Sequence, residues 1–394
     1  MFSGRTPKVH ATNRLTRALA ERAAPPLDLT VSNPTAVGLH IPGDPLAPLA
    51  DPRGRLYAPE PTGSLAARRA VAAYYARRAV AADPARIVLA ASSSEAYGWL
   101  FKLLCDPGEA VLVPAPSYPL LDALAGLESV RVARYPLDPA GGWAFHAGSV
   151  EVEIDRLAAR GMRTGAVVLV APNNPTGSGV ARGELLDLLA LARRRGFAVV
   201  SDEVFLDYRF AGAPDDVPVA AALGAEGDGL VFSLGGLSKA AALPQLKLGW
   251  LLAGGPDDLV REALSRLEWI ADAYLSAGTP VQLALPELFA WGEAAAAAIR
   301  ARVLANHAVL SRAFPPGGSI AAGPLRGGWS ALLRVPAVEP EEDLALRLLS
   351  EVDLLVHPGY FFDFPTEGFL VLSLLPRPDL FAEGVARLSR ALSR

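Results

Sequence analysis

Three short apolar segments of the chain are each followed by a polar side chain of a kind that takes part in catalysis. Asn174 comes after segment 166–171, Asp202 ends an apolar run that begins at 197, and Lys239 follows segment 230–234. An amine can condense with an aldehyde, and a carboxylate can keep a nearby group cationic. Because ligands of open α/β sheets bind at the carboxyl ends of strands, we expect these side chains to converge on one crevice.

The elements that must position these residues alternate between short apolar runs and longer amphipathic ones. Such alternation predicts βαβ units around a mostly parallel sheet that is buried on both faces. The apolar runs lie at 87–90, 111–113, 166–171, 197–204, 230–234 and 248–254. Helical segments are predicted from Ser94 to Leu104, near Leu120 and at 184–195. The fold class is therefore α/β, with a large domain built on a mostly parallel sheet that is sandwiched by helices.

A smaller α+β unit is predicted because the pattern of apolar and polar residues changes after about residue 290. A long helical stretch there is followed by short strand-like and helix-like segments up to the C-terminus. The first 45 residues carry little sheet signal. We therefore expect a large domain at 46–290 and a small domain formed by 1–45 together with 291–394.

Composition narrows the functional classes. The chain has 394 residues, a net charge of −4 and one cysteine, Cys105. The small net charge gives no sign of nucleic-acid binding, and no apolar segment is long enough to predict a membrane span. One cysteine cannot form a disulfide within the monomer or a cysteine metal cluster, and Cys105 is expected in the core. We expect a cytoplasmic protein, and no metal site is predicted.

The ordered motifs resemble those of the class I/II aminotransferases, enzymes of fold type I that use pyridoxal 5'-phosphate (PLP). The motifs are YAPEPTG, ASSSEAYG, PAPSYP, APNNPTG, SDEVFLDY and GGLSKAAALPQLKLGW, and the resemblance covers roughly residues 30–375. Each motif alone is weak, whereas the ordered set is specific. The resemblance implies that the sheet of the large domain is of the seven-stranded type. It also implies a homodimer that acts on a small-molecule amino donor and a keto or aldehyde acceptor.

The resemblance assigns roles around the cofactor ring. Lys239 would hold PLP as a Schiff base, Asp202 would face the ring nitrogen, and Asn174 would reach the ring oxygen. Tyr118 would lie flat on the ring. An ordinary structural role remains open for each of these residues. Lys239 could be a surface lysine and Asp202 a helix cap, while Asn174 could belong to a turn and Tyr118 to the core.

A second group is expected around the cofactor phosphate. Serines 92–94 precede a helical run, where hydroxyls and free N–H groups suit an anion, although one serine could simply cap the helix. The resemblance adds Ser238 and Lys247, the latter at a position where the family usually has arginine. It also implies that Tyr57 and Thr279 reach the phosphate of the neighbouring subunit.

Two departures from the family pattern bear on the substrate. Phe205 stands where the family usually has a tyrosine that bonds the ring oxygen, and Tyr208 is off register. Val371 stands where an arginine usually binds the substrate carboxylate. Arg377, Arg326 and Arg334 are candidate replacements, with a solvated arginine as the alternative for each. Further substrate contacts are predicted for Asn33, Asn174 and Tyr360, with His357 close to Tyr360 in a segment that forms either a lid or small-domain core.

The leading functional prediction is a PLP-dependent aminotransferase with unusual carboxylate recognition. A PLP-dependent lyase, such as an enzyme that eliminates across a C–S bond, would use the same residues and stays open at this point. A PLP-binding protein without turnover is the third possibility.

Overall fold

The computed structural model describes residues 2–6, 12–210, 216–275 and 277–393. The α-helices of the described chain are Arg14–Ala20 (α1), Leu65–Ala76 (α2), Ser93–Leu104 (α3), Leu120–Leu127 (α4), Ala147–Ala158 (α5), Arg182–Arg195 (α6), Leu237–Ala240 (α7), Asp257–Tyr274 (α8), Thr279–Leu283 (α9), Leu285–Ala313 (α10), Glu341–Glu351 (α11) and Pro378–Leu392 (α12). The strands are Leu27–Asp28 (β1), Ile87–Ala90 (β2), Ala110–Ala115 (β3), Arg131–Pro136 (β4), Thr164–Val170 (β5), Ala198–Asp202 (β6), Val231–Gly236 (β7), Gly249–Gly254 (β8), Ala321–Ala322 (β9), Ser330–Arg334 (β10), Leu354–Leu355 (β11), His357–Pro358 (β12) and Phe369–Ser373 (β13).

A seven-stranded sheet in the order β2-β8-β7-β6-β5-β3-β4 forms the centre of the molecule. Neighbouring strands from β7 to β4 are parallel, whereas β8 is antiparallel to both β7 and β2. The central strands are apolar along their length because helices cover both faces of the sheet. The predicted α/β class and the mostly parallel sheet are confirmed.

A second sheet of four antiparallel strands, in the order β12-β13-β10-β9, is built from the last third of the chain. Strand β1, near the N-terminus, pairs in parallel with β11. This pairing places a segment of residues 1–45 beside a segment of 291–394, while the predicted division into a large and a small domain stays a prediction. The predicted boundary at residue 290 falls inside α10, so we propose that the large and small units share this helix.

Helix α10 runs for 29 residues and contacts both units. A Cβ at Gly292 would lie 2.5 Å from the carbonyl oxygen of Ala240, so only glycine permits this close approach to α7. Farther along the helix, the buried Asn306 side chain donates from Nδ2 to the carbonyls of Leu374 (2.9 Å) and Pro376 (2.8 Å). The helix thus connects the segment after Lys239 with the end of β13.

Candidate active site

A cavity of about 310 Å³ opens at the carboxyl ends of the central parallel strands, beside the four-stranded sheet. Its size suits a small-molecule ligand. Eight residues with predicted roles line it: Ser93, Ser94, Tyr118, Asn174, Asp202, Phe205, Ser238 and Lys239. The sheet therefore brings together most of the residues that the sequence analysis placed around the cofactor.

The Lys239 amine makes no hydrogen bond or ion pair with any residue that the structure describes. Its Nζ lies 4.7 Å from the ring centroid of Trp329 and 5.5 Å from that of Phe205. Burial lowers the pKa of Lys239 to about 8, and the charge of Asp202 opposes that shift. A lysine in this environment is a better nucleophile than one in water, because more of it is neutral near pH 7.

Asp202 ends β6 and is held by hydrogen bonds from two sides. The Val204 N–H donates to Oδ1 (3.1 Å), and the Tyr97 hydroxyl donates to Oδ2 (3.1 Å). Burial raises the pKa of Asp202, while these two hydrogen bonds and Lys239 favour its charged form. The carboxylate therefore gains from a cationic group placed against it in the cavity.

The serines at the start of α3 divide into one capping residue and two cavity residues. Ser92 caps the helix by accepting from the Glu95 N–H (3.1 Å), and Glu95 in turn accepts from the Ala91 N–H (2.6 Å). Ser93 and Ser94 line the cavity. A Cβ at Gly249 would lie 2.7 Å from the carbonyl carbon of Ser92, so this glycine lets the serine segment approach the sheet. Ser92 thus takes the capping role rather than a place in the cavity.

The two adjacent asparagines after β5 have different surroundings. Asn173 is buried and donates from Nδ2 to Pro116 O (2.9 Å) and Thr176 Oγ1 (3.0 Å), which fixes the turn. Asn174 lines the cavity, and its Oδ1 accepts from Ser330 Oγ (3.4 Å). Asn173 thus has the turn role that was expected for this motif, and Asn174 has the cavity role.

Tyr208 does not replace the hydroxyl that Phe205 lacks. Its hydroxyl donates to the backbone carbonyl of Lys239 (3.0 Å), and the side chain is fully buried. Phe205 lines the cavity and packs edge-on against Trp329, with ring centroids 5.1 Å apart. Tyr208 therefore supports the backbone that carries the lysine.

Several residues that line the cavity were not predicted. Tyr97 lies about one helical turn beyond Ser93 on α3, so the helix periodicity could have indicated it. Trp329 comes from the segment before β10, and only the tertiary fold brings it to Lys239. Apolar residues from α4 complete this part of the wall: Leu120, Leu121 and Leu124. Phe362, which lies in the segment expected to form a lid or small-domain core, also lines the cavity.

Comparison with known proteins shows a family relationship over most of the chain. The model of the family described as aminotransferase class I and II matches residues 35–379. This chain belongs to the class I and II aminotransferases. Glutamate-pyruvate aminotransferase AlaA of Escherichia coli is 24% identical over 324 residues, which span 76% of this chain and 73% of the relative. Alanine aminotransferase of Mycobacterium tuberculosis is 27% identical over 321 residues, which span 76% and 69% respectively.

Solved aminotransferase structures have the same fold. A Thermus thermophilus aspartate aminotransferase double mutant superposes with a TM-score of 0.83 at 22% identity, covering all of both chains. An alanine aminotransferase from Pyrococcus furiosus superposes with a TM-score of 0.82 at 22% identity, covering 96% of this chain and 95% of the other. These superpositions show the shared fold, and the match to the family model makes the chain a PLP-dependent transferase.

The cavity of this aminotransferase fits PLP in its chemistry. An uncommitted lysine amine suits an aldehyde, and the buried Asp202 suits a cationic ring nitrogen. The hydroxyls of Ser94 and Ser238 make no hydrogen bond within the described chain, so both remain available to a phosphate. Among the described residues, no group of histidine, cysteine and acidic side chains is arranged to hold a metal ion.

The remaining predicted residues lie outside the cavity of the single chain. Lys247 is exposed and has a left-handed backbone (φ +52°). Asn33 is exposed and accepts from Thr35 N–H (3.0 Å), while the Tyr360 hydroxyl donates to Glu342 (3.1 Å). Arg377 pairs with Asp379 at 2.6 Å and stays exposed. None of these four side chains lines the cavity of the single chain. Tyr57 and Thr279, which are predicted to act on a partner subunit, do not line it either.

The cavity wall carries Val371 but no arginine from any part of the chain that the structure describes. Val371 lies in the middle of β13 and is almost fully buried. Of the other candidate arginines, Arg326 donates to Gly142 O (3.4 Å) and Arg334 to Gly318 O (2.7 Å). Neither of them lines the cavity, so neither takes the place of the missing arginine in this structure.

Other predictions from composition can be compared with the described residues. Cys105 is buried, as expected, and burial raises the pKa of its thiol to about 12. In the described chain, every helix is too short or too polar to cross a bilayer.

Proposed function

We propose that Lys239 binds PLP as a Schiff base and that the chain transfers an amino group from an amine or amino-acid donor to a keto or aldehyde acceptor. The observation that most supports this proposal is that the uncommitted Lys239 amine and the buried Asp202 line one cavity. PLP, when bound, supplies an electron sink for the substrate carbon. The family relationship favours transfer over elimination.

Each cavity residue has a proposed task. Asp202 holds the ring nitrogen in its cationic form, and Asn174 donates to the ring oxygen. Tyr118 stacks on the ring, while Ser94 and Ser238 bind the phosphate. The Lys239 amine, when not bound to the cofactor, would accept and return the proton of the substrate carbon, for which a pKa of about 8 is well matched to neutral pH.

Substrate recognition is proposed to differ from that of relatives with an arginine in the wall. A free α-carboxylate placed against Val371 would be partly buried without a cation, at a cost of several kcal/mol. Amines, esters, carrier-bound amino acids and donors that hold an acid farther away avoid this cost. Some relatives are named alanine aminotransferases, so alanine is a donor against which to measure the difference.

A homodimer is proposed from the exposed apolar side chains near Tyr57. Leu56 and Tyr57 are 71% and 69% exposed in the single chain. They follow a turn in which a Cβ on Gly54 would lie 3.3 Å from Pro280, next to Thr279. Tyr57 and Thr279 therefore occupy one surface region, from which both can enter a partner's cavity. The predicted cytoplasmic location stays a prediction.

The Schiff base is tested by chemical trapping. The chain has four lysines, at positions 8, 102, 239 and 247. Reduction of the PLP-bound protein with borohydride should add the cofactor mass to the peptide that contains Lys239. Lys239→Ala should lose this adduct, whereas Lys102→Ala, which removes a lysine outside the cavity, should keep it. An adduct on another lysine would refute the assignment.

The shared active site is tested by mixing two inactive variants. Tyr57→Ala removes the residue proposed to come from the partner, and Lys239→Ala removes the amine. Random exchange of subunits should restore about one quarter of the wild-type activity, because each hybrid has one intact site. A mixture as inactive as its components, with exchange confirmed by mass spectrometry, would argue against a shared site.

A further inference from the structure

His357 lies beside Val371, at the part of the wall where the family usually places its arginine. The two residues are directly paired across the antiparallel strands β12 and β13, and both line the cavity. Directly paired residues have Cβ atoms about 5 Å apart and point to the same face. A ring at position 357 therefore reaches the space that Val371 leaves empty.

Two other polar side chains on this side of the cavity, those of Thr30 and Ser373, already have partners, whereas Ser32 at its exposed rim has none within the described chain. Thr30 donates to Asp28 Oδ1 (2.6 Å), and Ser373 donates to Val31 O (2.6 Å). The His357 ring forms no hydrogen bond with any residue in the described ranges. It packs against the rings of Phe361 and Phe362, at centroid distances of 5.6 and 5.9 Å. Its nitrogens are thus available to a ligand.

The position of His357 is fixed by the segment that follows it. The buried carboxylate of Glu341 accepts from three backbone N–H groups: those of Gly368 (2.7 Å) and Phe369 (2.7 Å) at Oε1, and that of Tyr360 (2.9 Å) at Oε2. These bonds tie the turn after β12 and the start of β13 to α11. The histidine is therefore held by a rigid wall rather than by a free loop.

The chemistry of the ring favours a neutral partner. Burial lowers the pKa of His357, with Asp28 opposing the shift, so the ring is neutral at pH 7. A neutral imidazole offers one donor and one acceptor. A single neutral donor beside Val371 and Phe362 does not offset the charge of a partly buried carboxylate, but it does satisfy a carbonyl oxygen.

We infer that His357 hydrogen-bonds the group next to the reacting carbon of the substrate and selects amino donors in which that group is a neutral carbonyl, as in an amide or ester, over those with a free carboxylate. The inference rests on the proposed function for the reaction itself. It assigns to His357 the recognition of this group, which the wall around Val371 otherwise cannot provide.

A matched set of donors tests the selection. Leucine, leucinamide and 3-methylbutylamine share one side chain. On the carbon that bears the amine they carry a carboxylate, an amide and a hydrogen, respectively. Wild type should use leucinamide with at least about tenfold higher kcat/KM than leucine. His357→Leu should lower kcat/KM for leucinamide about tenfold and leave 3-methylbutylamine within about twofold. His357→Gln, which keeps a neutral donor, should retain most of the preference.

A binding measurement separates this inference from the proposed function. The compound 4-methylpentanamide has no amine and cannot react, so calorimetry on the PLP-bound protein reports recognition alone. His357→Leu should weaken its binding about tenfold, while His40→Gln, at an exposed histidine, should leave it unchanged.

The outcomes are distinct. Equal losses for all three donors, unchanged amide binding in His357→Leu, or a wild-type preference for leucine would overturn the role of His357. Failure of every donor to react, together with normal binding of the unreactive amide, would instead overturn the proposed transfer reaction.

Discussion

The hydrogen bond from Tyr97 to Asp202 connects a helix side chain to the charge of the cavity. Burial raises the pKa of Asp202, and this bond is one of the contacts that favour its ionised form. An ionised carboxylate is what a cationic ring nitrogen requires as its partner. We therefore propose that Tyr97 is a positioning residue that acts through Asp202.

Replacing Tyr97 by phenylalanine should weaken PLP binding about tenfold, because the carboxylate loses a donor. The loss should grow as the pH falls, since protonation of Asp202 then becomes easier. Titration of PLP fluorescence at several pH values measures both effects. Tyr135→Phe is the control, because it removes a hydrogen bond of a buried tyrosine (to Val168 O, 2.7 Å) away from the cavity. Coinciding binding curves for the two variants would contradict the role of Tyr97.

The sequence predicted cavity residues where a motif singled them out and missed those that resemble core residues. Lys239, Asp202 and Asn174 follow apolar strands, so their position at the sheet edge was readable. Tyr97 sits in an apolar helix, and a tyrosine there has the pattern of a core residue. Lys247 was placed at the phosphate by its spacing from Lys239, but the left-handed backbone at that residue accompanies an exposed side chain.

At the scale of elements, helix α3 begins with a cap in which the Ser92 hydroxyl accepts from the Glu95 N–H and the Glu95 carboxylate accepts from the Ala91 N–H. Ser92→Ala should lower the free energy of unfolding by about 1 kcal/mol, because one helix N–H loses its acceptor. Ser94→Ala should change stability little and weaken PLP binding instead. Urea unfolding of the PLP-free variants and PLP titration measure the two effects. Equal losses of stability in both variants would contradict the assignment of helix capping to Ser92 and of phosphate binding to Ser94.

The strands were predictable where they are buried on both faces. The apolar runs at 87–90, 166–171 and 230–234 correspond to β2, β5 and β7. Strand β4 was missed because RVARYP, at the edge of the sheet, mixes charged and apolar residues and stays partly exposed. The direction of β8 was not predictable, because a hydrophobic run carries no information on whether its neighbour is parallel.

The stability of the whole molecule is linked to pH through the buried Glu203. Burial raises the pKa of this carboxyl to about 8, opposed by hydrogen bonds from Ala220 N–H (2.7 Å) and Ser233 Oγ (2.8 Å). The folded state thus keeps a proton that the unfolded chain releases near the ordinary value of 4.5. The resulting stabilisation is complete below that value and is lost as the pH rises towards 8.

Glu203→Gln should remove this dependence. Between about pH 5 and pH 8, the urea midpoint of wild type should fall relative to that of Glu203→Gln, which cannot lose a proton. Glu262→Gln, at a side chain that is 61% exposed, should follow wild type. Parallel curves for wild type and Glu203→Gln over this range would show that Glu203 is ionised in the folded protein.

Helix α10 acts as a spacer between two parts of the cavity that it does not itself line. Gly292 fixes one point of the helix against the residue after Lys239, and Asn306 fixes another against the end of the strand that bears Val371. The 14 residue steps from Gly292 to Asn306 span about 21 Å of helix. The distance between the segment that carries Lys239 and the strand that carries Val371 is thus held by a helix outside the cavity, so we expect substitutions in α10 to change which donor sizes the cavity accepts without touching a ligand.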